Sequence, residues 1–74
     1  MKKTDEYLIN LSLNLKNLRI SYGYTQKELS KKLGITYQSY QAYELKKSLP
    51  SLPVLLCIAD IYDVSLDSLF NRDE

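Results

Sequence analysis

Histidine and tryptophan are absent from this sequence, and cysteine occurs once, at Cys57. Without histidine a metal site would need carboxylates clustered with Cys57, and no such cluster occurs at metal-ligand spacing. A lone thiol cannot close an internal disulfide. No apolar run approaches the length of a signal peptide or a membrane span, which places the protein in the cytoplasm and away from membranes. Paired carboxylates, a nucleophile beside a base and a Gly-rich phosphate loop are also missing. The chain therefore reads as a non-enzyme with no cofactor, no metal and no evident small-molecule effector site. With only two glycines and two prolines, it contains no linker, internal repeat or low-complexity tract.

What is present is a chain of 74 residues, 45% hydrophobic and 26% charged, which reads as one small folded domain over residues 1–74. The net charge of +1 hides an uneven distribution. Residues 1–14 balance Lys2 and Lys3 against Asp5 and Glu6. Residues 15–49 set seven cations (Lys16, Arg19, Lys27, Lys31, Lys32, Lys46, Lys47) against Glu28 and Glu44, a surplus of five. Residues 50–74 set Arg72 against five acids, Asp60, Asp63, Asp67, Asp73 and Glu74. A basic middle and an acidic end suit one face for a polyanion and another for a different partner, although a solvated lysine-rich surface would give the same count.

Apolar residues at helical spacing (Tyr7, Leu8, Leu11, Leu15, Leu18, Tyr22) predict a first helix over 7–22, capped by Asp5 and stopped at Gly23. Thr25 with Glu28 three residues later is a capping-box pair, so a second helix should start at Gln26 and bury Leu29 and Leu33 beside small Ser30. Gly34 ends it, and Thr36 caps a third helix from Tyr37 to about Leu45, with Pro50 barring a long continuation. Two short helices across a tight Gly-containing turn make a helix-turn-helix. Ser51 caps a fourth helix through Tyr62, and Ser65 caps a short fifth anchored by Leu66, Leu69 and Phe70. No segment alternates, so the fold class is all-α.

The third helix carries Tyr37, Tyr40 and Tyr43 at steps of three, and each step slips back by about 60° on a helix. Projection therefore separates two faces. Tyr37, Gln41, Gln38 and Ala42 fall at about 0°, 40°, 100° and 140°, while Tyr43 and Tyr40 fall at about 240° and 300°. The first face suits base edges, since glutamine can bond adenine N6 and N7 together and a methyl can meet the thymine methyl; plain solvation is the alternative. Tyr40 and Tyr43 suit the core, with hydroxyls at a margin where a phosphate or a protein carbonyl could be bonded.

These residues resemble the XRE family of helix-turn-helix DNA-binding domains, the type of phage Cro and repressor proteins. The resemblance runs from about Leu11 to Phe70, through LKNLR (15–19), Gly23, TQKELSKKLGIT (25–36), YE (43–44), PSL (50–52), Leu55 with IA (58–59) and VSLDSLF (64–70), leaving 1–10 as an extension of the first helix. It implies an all-α, five-helix, lambda-repressor-like domain, with helices 2 and 3 as the helix-turn-helix and helix 3 in the major groove of a palindromic site read by a homodimer. It further implies base reading by Tyr37, Gln38, Gln41 and Ala42, and backbone contacts from Thr25, Gln26, Lys27, Thr36, Ser39, Tyr40, Lys46 and Lys47. Arg19 and Glu44 match positions where the family often places an ion pair between helix 1 and the end of helix 3. Many relatives have glycine shortly after the YE pair, where this chain has Leu45 and Lys46. The turn there must strain a non-glycine residue or take another path.

Helix 4 is apolar nearly all round. Leu52, Leu55, Leu56, Ala59 and Tyr62 should form its core face, and Val54, Cys57, Ile58 and Ile61 an opposite one. Helix 1 has a minor apolar stripe of Ile9, Leu13 and Ile20. Either residues 1–10 fold back over helix 4 or a second chain covers it. The two-fold symmetry of a palindromic operator favours a homodimer, with Val54, Cys57, Ile61, Leu69 and Phe70 at its interface. The functional expectation is a double-stranded DNA-binding transcriptional regulator, most simply a repressor. An antitoxin or other protein-interaction module on the same fold, or a restriction-modification controller, is the competing class.

Overall fold

Four α-helices and a closing 3₁₀ turn make up residues 3–71, the part of the chain described by the computed structural model: α1 Lys3–Ser21, α2 Gln26–Leu33, α3 Tyr37–Glu44, α4 Leu52–Tyr62 and the 3₁₀ turn Asp67–Leu69. There is no strand among the described residues, and no helix there is long and apolar enough to cross a membrane.

No glycine or proline interrupts the first twenty-one residues, so α1 runs as one helix from Lys3. Asp5 lies inside its first turn with Glu6 rather than capping it, where both carboxylates favour the positive end of the helix dipole. Residues 3–10 are helical and do not fold back over α4; residues 1 and 2 lie outside the described residues. Gly23 adopts a left-handed φ of 76°, and Tyr24 N–H donates to the Arg19 carbonyl at 3.0 Å, which closes the helix.

The second helix starts with a full capping box. Glu28 N–H donates to Thr25 Oγ1 at 3.0 Å, and Thr25 N–H donates to Glu28 Oε1 at 2.8 Å. Gly34, with φ 71°, turns the chain into Thr36, whose hydroxyl caps α3 by accepting from Ser39 N–H at 3.0 Å. Leaving α3, the chain strains a non-glycine residue: Lys46 takes φ 63° so that Lys47 N–H can reach the Ala42 carbonyl at 2.9 Å. Ser51 caps α4, and Asp63 in the left-handed conformation ends it.

The core joins Leu11 and Leu15 of α1, Leu29 of α2, Tyr40 of α3, Ile58, Ala59 and Tyr62 of α4, and Leu69 of the closing turn. Two expectations are corrected here. The fifth helix is a single 3₁₀ turn. Ser65 Oγ accepts from Ser68 N–H at 3.1 Å, but the residue at the N-cap of the turn is Leu66, which makes no side-chain cap bond, and α1 takes up carbonyls at the end of the turn. Asn14 Nδ2 donates to the carbonyls of Ser68, Leu69 and Asn71 at 3.3, 2.9 and 2.8 Å, and Asn10 Nδ2 donates to that of Phe70 at 3.2 Å.

The faces of α4 are also redrawn. Ile58 is fully buried, while Leu52 and Leu56 are 59% and 52% exposed. From Ile58, Tyr62, Leu55 and Ala59 lie within about 100° in one direction, and Leu56, Asp60, Pro53 and Cys57 occupy the far side. The buried arc straddles the two faces expected from hydropathy.

Candidate nucleic-acid interface

The exposed side of α3 presents Gln38 to solvent, flanked by half-buried Tyr37, Gln41 and Ala42. Tyr37 is braced from two sides. Gln41 Nε2 donates to its hydroxyl at 3.4 Å, and Lys27 Nζ of α2 lies 5.7 Å from its ring centroid. Beside it runs an open groove of about 450 Å³ lined by Arg19, Tyr24, Thr25, Gln26, Lys27 and Tyr37, where the start of α2 meets the start of α3.

Underneath this face lies Glu44, the last residue of α3. Its carboxylate accepts from Arg19 Nε at 2.8 Å and Arg19 Nη2 at 3.2 Å, from Gln26 Nε2 at 3.0 Å and from the Tyr40 hydroxyl. The remaining Arg19 nitrogen, Nη1, donates to the Tyr24 carbonyl at 3.0 Å. Three side chains, one each from α1, α2 and α3, therefore converge on one carboxylate through four hydrogen bonds. Its side chain is 5% exposed and that of Arg19 14%. Burial pushes the Glu44 carboxyl up, but the bonds from Arg19, then Tyr40 and Gln26, outweigh it and hold the group below its ordinary value. The bond to Glu44 raises the Arg19 guanidinium despite burial.

The hub decides what several expected backbone-contacting residues can do. Tyr40 is fully buried with its hydroxyl committed to Glu44, so it has no route to a phosphate. Its ring packs edge-on to Tyr43 at 6.0 Å between centroids. Gln26 gives one amide N–H to Glu44 and keeps the other. Thr25 and Thr36 use their hydroxyl oxygens as helix caps, and Thr36 also donates to Ser39 Oγ at 2.9 Å. Lys27, Lys46 and Lys47 are exposed on the same two elements and the loop that follows. Sequence reasoning paired Arg19 with Glu44 but missed the hydroxyl and amide that complete the set. Helical spacing does hint at the first, because Tyr40 and Glu44 stand four residues apart.

Of the residues expected at a dimer interface, Cys57 is exposed and Val54, Ile61 and Phe70 are half-buried, but Leu69 is fully buried in the core. Leu69 is thereby removed from that surface. Leu45, Leu49, Leu52 and Leu56 are each more than half exposed around the α3–α4 loop and the start of α4.

A family model described as helix-turn-helix matches residues 15–69. The chain belongs to this helix-turn-helix family, of the XRE type. The match falls inside the 11–70 stretch that carried the resemblance, and spans both helices of the motif and the Arg19–Glu44 pair. The helix-turn-helix chain is also 38% identical over 66 residues to the HTH-type transcriptional regulator ImmR of Bacillus subtilis (strain 168). That alignment covers 89% of this chain and 52% of the relative, so the chain spans about half the relative's length. No solved structure matches.

Proposed function

We propose that the protein is a sequence-specific double-stranded DNA-binding transcriptional regulator of the cytoplasm, a repressor that occupies a palindromic operator as a homodimer. The observation that carries this reading is the exposed Gln38, with Tyr37, Gln41 and Ala42 beside it, on a helix anchored through Glu44 to both α1 and α2. A base-reading helix needs free amides on its outer face and a rigid seat beneath. Lys27, the second N–H of Gln26 and the groove lined by Thr25 and Tyr37 supply the phosphate-facing margin. Lys46 and Lys47 extend the positive edge, and each phosphate they neutralise steepens the salt dependence of binding.

The homodimer rests on Leu49, Leu52 and Leu56, with Leu45 at the edge. These exposed leucines adjoin the C-terminal end of α3, so a two-fold axis through them presents two copies of α3 on one side, as half-sites about one DNA turn apart require.

Selection of bound sequences from random duplex DNA, repeated with Gln38→Ala, tests the base-reading assignment. The parent should enrich a dyad-symmetric site, and the variant should lose about 1–3 kcal/mol with relaxed preference at one base pair per half-site. Enrichment of nothing, or equal weakening on every sequence, refutes it.

A further inference from the structure

The outer face of α1 carries a second apolar stripe that DNA reading leaves unused. Ile9, Leu13 and Ile20 are 38%, 54% and 57% exposed, on the side of the helix away from buried Leu11 and Leu15. Glu6, Ile9, Leu13, Lys16 and Ile20 succeed one another at steps of three and four, the 3.5-residue period of a helix–helix seam. Glu6 and Lys16 are exposed as well, and among the described residues neither joins an ion pair. A shallow open pocket lined by Glu6, Ile9, Asn10 and Leu13 lies along the N-terminal half of this stripe.

We propose that this face docks against α1 of a second copy of the chain, with the two helices antiparallel. The charges select that arrangement. Parallel pairing sets Glu6 on Glu6 and Lys16 on Lys16, two like-charge contacts that oppose association. An antiparallel two-fold centred beside Leu11 sets Ile9 against Leu13 of the second copy and Glu6 against its Lys16, and symmetry makes each contact twice. Sliding the axis to Leu13 places Glu6 on Ile20, which strips water from a carboxylate and offers it no partner. The register centred beside Leu11 therefore matches Ile9 to Leu13 and Glu6 to Lys16, and leaves Ile20 beyond the paired segment.

The seam is short, so it belongs to the weak, transient class of interfaces. It acts where copies are already crowded. Combined with the dimer proposed above, a second two-fold on another face links dimer to dimer, which makes occupancy of neighbouring DNA sites cooperative. That consequence rests on the DNA-binding reading; the association itself does not.

Sedimentation without DNA, in a Leu52→Asp/Leu56→Asp background that removes the other exposed patch, isolates the seam. Glu6→Lys alone and Lys16→Glu alone should each weaken self-association by about tenfold, since both symmetric pairs turn from attraction to repulsion. The double exchange Glu6→Lys/Lys16→Glu should restore it to within about twofold of the parent. Circular dichroism checks that all the variants keep their helix content. Association that ignores the single reversals, a double exchange that does not recover, or a background that stays monomeric up to millimolar concentration overturns the proposal. Loss of sequence-selective DNA binding by Gln38→Ala has no bearing on these outcomes.

Discussion

Replacing Arg19 with methionine, similar in length but uncharged, would test whether the Glu44 hub holds the DNA-facing helix in place. The substitution leaves a carboxylate whose side chain is 5% exposed with only the Tyr40 hydroxyl and the Gln26 amide as partners. Orphaning one member of a buried pair costs about 3–5 kcal/mol. A domain of this size has roughly 4–11 kcal/mol in total, so the variant should fold but unfold at far lower urea.

The pH dependence of that deficit separates an orphaned charge from lost packing. In the parent, Glu44 lies below its ordinary 4.5, so its contribution is complete above that value and is lost as pH falls through the folded pKa. Without Arg19 the upward push of burial dominates, and the folded carboxyl binds its proton more readily than the unfolded one. Acidification then stabilises the variant relative to its own state at neutral pH. The gap between parent and variant in urea midpoints, followed by far-ultraviolet circular dichroism, should be widest at pH 7 and narrow by pH 4. A deficit below about 1 kcal/mol, or one that does not change with pH, refutes the hub as an electrostatic anchor.

Three further outcomes follow from individual contacts. Tyr62 buries a hydroxyl that has no hydrogen-bond partner among the described residues and, through burial, a pKa pushed up to about 12. Tyr62→Phe should therefore be neutral or stabilising by up to about 1 kcal/mol in thermal unfolding, whereas a clear loss would reveal a partner for that hydroxyl. Lys46→Gly should stabilise by about 0.5–1 kcal/mol, because glycine relieves the left-handed strain at φ 63°; denaturant titration showing destabilisation would count against that strain. Asn14→Ala should cost about 1–3 kcal/mol by releasing the carbonyls of Ser68, Leu69 and Asn71. Amide exchange should then report opening of the closing turn before the rest of the fold.

Local rules carried much of the architecture. Thr25 with Glu28, Gly34 and Thr36 marked the ends of α2 and the start of α3 from residue identity alone, because each acts on backbone within four residues of itself. The division of the three tyrosines was equally legible, since α-helical geometry alone sets Tyr40 apart from Gln38 and Gln41. The charge surplus of the middle segment likewise needed no coordinates.

Other features depend on which elements meet. Hydropathy could not say which side of α4 faces inward, because nearly every side of it is apolar; packing into the shared core took Ile58 and left Leu56 outside. The closing turn was read as a helix from Ser65 and its apolar anchors, yet it makes a single 3₁₀ turn, and Asn10 and Asn14, about sixty residues away in sequence, bond carbonyls at its end. Tyr40 was placed in the core by its phase, but only the meeting of three helices at Glu44 withdrew its hydroxyl from any phosphate and tied Gln26 to the same carboxylate. The sequence by itself determined where helices begin, where they end and which side of α3 is polar, since these are short-range properties of the backbone and its nearest side chains. Tertiary structure alone decided which apolar surface is core and which polar groups are already bonded, because burial and hydrogen-bond satisfaction depend on partners far away along the chain.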